Sequence, residues 1–180
     1  AYSQTGQIYG LAGDLISFDK ERTDADGITR SHWTSKGTDA RGRSLGYTET
    51  GSVAKDGRPL YEFTTDHTAG AYTLQNQASS YAAVTTKRYA NGAVESAATR
   101  WTDGAYDTQG RLTAFKETQT TTLTDNGETK SSTSSRLRES ATYYDDNGPG
   151  HLKGQLASTV DVLLDDLSPE KARRVRTADM

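Results

Sequence analysis

Cysteine is absent from the 180-residue chain, which removes disulfides, thiolate nucleophiles and cysteine-ligated zinc in one step. Hydrophobic residues are scarce at 32%, and the mean hydropathy is −0.81, so a thick, dry core is not expected. No apolar run approaches the roughly 18 residues of a membrane span, and no signal peptide opens the chain. A secretion signal, if the protein carries one, is therefore expected outside this segment. Excess positive charge is missing as well: the net charge is −3 and the pI is near 5.6, which gives no basic surface for nucleic acid. The sequence holds no Gly-x-Ser-x-Gly, no His-Glu-x-x-His and no phosphate loop. Its three histidines, His32, His67 and His151, show no ligand or triad spacing. Neither an enzyme nor a cofactor is expected. So polar a composition also suits disorder, but ten tyrosines, only three prolines and a regular spacing of turns argue for an ordered sheet.

What the chain does contain is a repeat. A glycine five places before an aromatic recurs at Gly13 with Phe18, Gly42 with Tyr47 and Gly110 with Phe115. Asn76 with Tyr81 fills the gap, asparagine being the usual substitute for glycine in a left-handed turn. The intervals are 29, 34 and 34 residues. A second row, Asp26-Gly27, Asp56-Gly57, Asn91-Gly92 and Asn126-Gly127, runs in step with it at 30, 35 and 35. Asp-Gly and Asn-Gly between extended runs predict hairpins with type I′ turns, in which both central residues take positive φ. The expected fold is all-β: tandem long antiparallel hairpins, 29–35 residues per repeat, forming an extended or spirally curved sheet. Units are expected near residues 8–37, 38–71, 72–104 and 105–142, with a partial unit at 143–152 that turns at Gly148. Outgoing strands should lengthen by one residue per unit, from 13 to 16 between turns, with bulges as the alternative use of the added residues. Alternation is weak, and apolar residues thin out away from the first turn of each unit, so the sheet should be wet over much of both faces.

At the two ends the pattern changes. Ala1 to Gln7 are small and polar and read as a lead-in from something earlier, with the first unit beginning at Ile8-Tyr9. From Leu156, the apolar residues Leu156, Val160, Val162, Leu163, Leu164 and Leu167 form the densest cluster of the chain. Ser168-Pro169-Glu170 then predicts a short helix over Pro169–Ala178, with serine as N-cap and proline in the first turn. The basic run Lys171 to Arg176 is expected on its solvated face. Residues 153–180 are thus read as an apolar strand plus short helix, either a cap over the repeat array (1–152) or the start of a further module.

Tyr106-Asp107-Thr108-Gln109-Gly110-Arg111-Leu112 resembles the core of the YD repeat, Tyr-Asp-x-x-Gly-Arg-Leu, of Rhs-type bacterial proteins, toxin-complex shells and related surface proteins. Tyr144-Asp145-Asp146-Asn147-Gly148 keeps Tyr, Asp and Gly, and Asp39-Ala40-Arg41-Gly42-Arg43 keeps Asp, Gly and Arg. The resemblance implies long β-hairpins that coil into a shell or an extended sheet, in an extracellular or cell-surface bacterial protein. Units in that family are shorter and richer in aromatics than those here. A structural segment of a large secreted surface protein (shell wall, stalk or self-assembling fibre) is therefore expected ahead of a toxin-enclosing shell. Its partners would be neighbouring repeats or further copies joined through sheet edges. The alternative is an adhesin-type module that presents tyrosines to a glycan or host surface.

The residues singled out carry structural readings first. Gly13, Gly27, Gly42, Gly57, Asn76, Gly92, Gly110, Gly127 and Gly148 are the turn positions. Asp107, Asp145 and Asp39 can accept from nearby backbone N–H groups, with Arg111 and Arg43 reaching back to them. Asp24 with Asp26, and Asp145 with Asp146, place carboxylates close together at a turn, as calcium requires, though without the distal glutamate of a full loop. Thr118, Thr120, Thr122 and Thr124 make a hydroxyl row that reads as solvated sheet.

Overall fold

The computed structural model of the chain describes residues 1–148, 152–165 and 173–178. Among these, all regular structure is strand: β1 (Tyr2–Tyr9), β2 (Leu15–Asp24), β3 (Gly27–Ser35), β4 (Gly46–Lys55), β5 (Arg58–Ala69), β6 (Tyr81–Tyr89), β7 (Val94–Tyr106), β8 (Leu112–Asp125), β9 (Glu128–Tyr143), β10 (Leu156–Asp165) and β11 (Arg173–Ala178). They form one open antiparallel sheet in which spatial order follows chain order from β1 to β11. Threonine is the commonest residue in these segments, its branched side chain suiting a pleated surface. Alternation is clear where packing is strongest. Along β5 every second residue from Tyr61 to Ala69 is half-buried while its neighbours are exposed. Core burial is thin: Val53, Ala93, Trp101, Phe115 and Ala141 are the buried hydrophobic residues, and no described side chain is fully enclosed.

The chain divides into two compact units. One comprises Ala1–Ala69, Ala82–Ala98 and Thr121–Ser131; the other comprises Gly70–Tyr81, Thr99–Thr120 and Ser132–Met180. In the first, β2, β3 and β4 pair in unbroken register and β4 pairs with β5 across one shift at Val53/Ala54, with Phe18 opposite Trp33 and Tyr47 opposite His67. In the second, β10 pairs on one side with β9 and on the other with β11.

Several expectations are corrected. The predicted helix over Pro169–Ala178 is replaced, across its described part, by β11; Ser168-Pro169-Glu170 lies outside the described residues. A ten-residue helix is marginal in isolation in water, whereas β10 offers a row of backbone groups, and Ser158↔Ala178 through Leu163↔Arg173 pair along it. The apolar segment from Leu156 forms β10 as far as Asp165, and Leu167 lies outside the described residues. The segment adds a strand to the sheet, with Leu163 and Leu164 still about two-fifths exposed. The first strand also starts earlier than Ile8: β1 begins at Tyr2, and Tyr2 to Thr5 pair with Arg22 to Asp19.

The outgoing strands do not lengthen steadily either, running to 10, 10, 9 and 14 residues for β2, β4, β6 and β8. Irregular pairing takes up the difference. The amides of Ser79 and Ser80 both donate to Ala71 O, at 2.8 and 3.2 Å, the two-against-one pattern of a bulge. Pro149-Gly150, where the repeat pattern stops, lies outside the described residues.

Turn chemistry also differs from expectation. Two hairpins take type I′ turns with two positive φ values, Asp56-Gly57 (51° and 75°) and Asn126-Gly127 (50° and 82°). Asp26-Gly27 does not, because the loop is Ala25-Asp26 and Gly27 pairs with Asp24. Glycine is needed at position 27 for closeness rather than for the turn, since a Cβ there would sit 2.3 Å from Ala54 O.

Candidate functional site

A second kind of turn recurs along the chain and carries most of the residues singled out above. At Asp107–Arg111 the Asp107 amide donates to Arg111 O and the Gly110 amide to Asp107 O, both at 3.0 Å, with φ 82° at Gly110. This is a three-residue loop of ordinary handedness closed by one left-handed residue. It needs one positive φ, not the two of a type I′ turn. Gly10–Asp14, Asp39–Arg43, Thr73–Gln77 and Tyr89–Ala93 close through the same pair of backbone bonds, with Gly13, Gly42, Asn76 and Gly92 in the left-handed position.

Asp107 organises its loop through both carboxylate oxygens. Oδ1 accepts from the amides of Gln109 and Arg111 at 2.9 Å, and Oδ2 accepts from Arg111 Nε at 2.6 Å. Asp39 repeats this bond for bond: Arg41 N at 2.8 Å, Arg43 N at 3.0 Å and Arg43 Nε at 2.7 Å. Hydrogen bonds to the charged form favour it. The Arg43 guanidinium, then its amide, hold the Asp39 pKa down at about 2 against the opposing effect of desolvation. The Arg111 amide, and more weakly its guanidinium, lower that of Asp107. Both oxygens of each carboxylate are thus taken up by hydrogen bonds within its own loop.

Within the second compact unit, successive loops are tied together. Gln77 Nε2 donates to Gly110 O at 2.9 Å. The Arg111 guanidinium lies 3.3 Å from the exposed Asp145 carboxylate and 4.8 Å above the Tyr143 ring. The hydroxyl of Tyr106 donates to Ala78 O and that of Tyr143 to Leu112 O, each at 2.6 Å. Each residue type of Tyr-Asp-x-x-Gly-Arg-Leu thus has a task here. Tyrosine reaches back to the preceding loop, aspartate caps its own, glycine supplies the left-handed step, and arginine pairs back to aspartate and forward to the next loop. The leucine carbonyl receives the next tyrosine. Gln77 and Tyr143 were missed in the sequence, although Gln77 follows Asn76 as Arg111 follows Gly110. Tyr144 stood next to Asp145 in the motif, yet Tyr143 makes the hydroxyl contact.

Cross-strand side-chain ladders supply the remaining contacts. In the first unit, Phe18 stacks on Trp33 (5.1 Å between ring centroids), Trp33 meets Tyr47 (5.7 Å), and Tyr47 stacks on His67 (4.9 Å). Burial, with the Lys36 cation adding to it, lowers the His67 pKa. Elsewhere in the same unit Lys87 Nζ pairs with Glu95 at 2.7 Å and lies 5.7 Å above Tyr61. In the second unit, Trp101 stacks between Tyr81 and Phe115, at 5.5 and 5.8 Å. Arg138 sits 5.1 Å over Phe115 and joins Arg136 on the largely buried Asp161 carboxylate. Desolvation pushes the Asp161 pKa up, and the two arginines more than offset it, so its net shift is downward. Thr118, Thr120, Thr122 and Thr124 pair hydroxyl to hydroxyl with Ser135, Thr133, Ser131 and Thr129, at 2.7–3.1 Å.

The remaining candidates do not converge. His32 Nδ1 lies 2.8 Å from Asp19 Oδ1, and His151 lies outside the described residues. Of the calcium candidates, Asp24 accepts from the Asp26 amide and pairs with Arg22. Asp145 faces Arg111. No group of three acidic or histidine side chains among the described residues is arranged to hold a metal ion, and these residues form no helix long and apolar enough to cross a membrane. The sequence matches no known family, no curated protein and no solved structure.

Proposed function

We propose that this chain is a structural β-repeat segment of a large secreted bacterial surface protein, serving as shell wall, stalk or self-assembling fibre. The observation that carries this reading is the linkage of consecutive hairpins by recurring side-chain contacts, Tyr106 and Tyr143 reaching back by hydroxyl and Gln77 and Arg111 reaching forward. Such contacts serve to add one unit to the next. The proposed partners are neighbouring repeats or further copies, joined through strand edges. β1 suits an edge contact: all eight residues are exposed and none is charged, whereas edges protected from pairing usually carry charge or proline. A glycan-binding surface is supported less well. Phe18, Trp33, Tyr47, Tyr81 and Trp101 use their ring faces on one another, and a sugar would need a free face.

Negative-stain microscopy and light scattering of the purified segment test this reading. Particles or filaments that grow with concentration are the expected result. A monodisperse monomer that captures specific sugars on a glycan array would replace it with the adhesin reading.

A further inference from the structure

The chain has four asparagines, and in three of them, Asn91, Asn126 and Asn147, the next residue is glycine. An asparagine before glycine can cyclise. The glycine amide nitrogen, once deprotonated, attacks the side-chain Cγ, the bond from Cγ to the side-chain nitrogen breaks, and that nitrogen leaves as ammonia. Water then opens the resulting succinimide at either carbonyl, giving aspartate or isoaspartate; one water is consumed, one ammonia is released and no electrons are exchanged. The reaction requires a free nucleophile and a carboxamide able to rotate towards it.

The two kinds of turn treat these requirements oppositely. In the three-residue loop around Asn91, the Gly92 amide donates to Tyr89 O at 2.9 Å and Asn91 Oδ1 accepts from the Ala93 amide at 3.1 Å, so both reacting groups are held. Asn147 Oδ1 accepts from the Lys153 amide at 2.8 Å. In the type I′ turn, residue 126 is exposed, and its carboxamide makes no hydrogen bond among the described residues. The Gly127 amide donates to no backbone carbonyl there, and the space beside Gly127 is open.

We infer that Asn126 is a site of spontaneous deamidation in the folded protein, ahead of Asn91 and Asn147. The aspartate product fits without rearrangement, because Asp56-Gly57 already makes the same turn at φ 51° and 75°. The isoaspartate product does not, since it inserts a methylene into the main chain between the paired ends of β8 and β9. Ageing of the segment would thus loosen the tip of its longest hairpin.

Incubation of the intact protein at mildly alkaline pH, followed by peptide mapping by mass spectrometry, tests the inference. A parallel sample is kept unfolded in denaturant. The three Asn-Gly peptides should lose ammonia at similar rates when unfolded, whereas in the folded protein the Asn126 peptide should convert several-fold faster than the other two. Equal rates in the folded protein, or Asn91 or Asn147 leading, would overturn it. Asn126→Asp should fold with an unchanged melting temperature, and the intact variant should then release much less ammonia than wild type. Undiminished release from that folded variant would also overturn the assignment.

Discussion

The ring ladders and the hydroxyl ladder hold neighbouring strands by different means. Trp101 and Phe115 are each only 7% exposed, and stacking on Tyr81 and beneath Arg138 excludes water from both. At the tip of the β8–β9 hairpin, residues 125–132 are all exposed, and the paired threonines and serines there can exchange a protein partner for water at little cost. Aromatic pairs add area burial to a geometric preference worth roughly 0.5–1.5 kcal/mol, while a net hydroxyl pair contributes a few tenths to about 1 kcal/mol. Energy and register are therefore concentrated at the rings, and the hydroxyl-lined tip follows from them.

Removing a ring should test this most severely. Trp101→Ala is expected to cost about 3 kcal/mol, as large-to-small changes at well-packed sites do, and to lower the melting temperature markedly. A loss no greater than that of a surface substitution would mean that the stack carries no weight.

Gly110→Val should rank next, at about 2 kcal/mol or more, because valine resists positive φ and its Cβ would meet Gln77 Nε2 at 2.7 Å. Equal melting temperatures for this variant and wild type would remove the turn from the forces that set the hairpin. A smaller effect is expected at the loop carboxylates, and it has a sign. Asp39 and Asp107 titrate lower folded than unfolded, so their contribution is full above the unfolded value of about 3.9. It is lost as pH falls through the folded value, about 2 for Asp39. The double variant Asp39→Asn, Asp107→Asn should therefore lose less stability than wild type between those pH values in acid-unfolding titrations; parallel curves would count against the caps. Thr120→Val should matter least, within about 0.5 kcal/mol, since valine keeps the β-branched shape at a site that is only half-buried. A penalty comparable to that of Trp101→Ala would abolish the contrast between the ladders.

Local chemistry made much of the architecture readable in advance. Gly13, Gly42, Asn76 and Gly110 recur at nearly constant spacing because the left-handed step of a hairpin loop admits few residues, so the hairpins and their all-β character could be read from the sequence alone. The Asp-x-x-Gly-Arg pattern announced a carboxylate close to its own loop amides, a contact spanning four residues. What a residue does beyond its own hairpin was not legible. Gly27 resembles a turn glycine but is required by the approach of Ala54 O from another hairpin. Arg173–Ala178 could be read as a helix until β10 offered an edge to pair with. Gln77 and Tyr143 gained their tasks from loops more than thirty residues away. Turn geometry is set by backbone sterics within a few residues and is written into the sequence. Partners across the sheet depend on strand register, bulges and open edges, which exist only once the chain has folded.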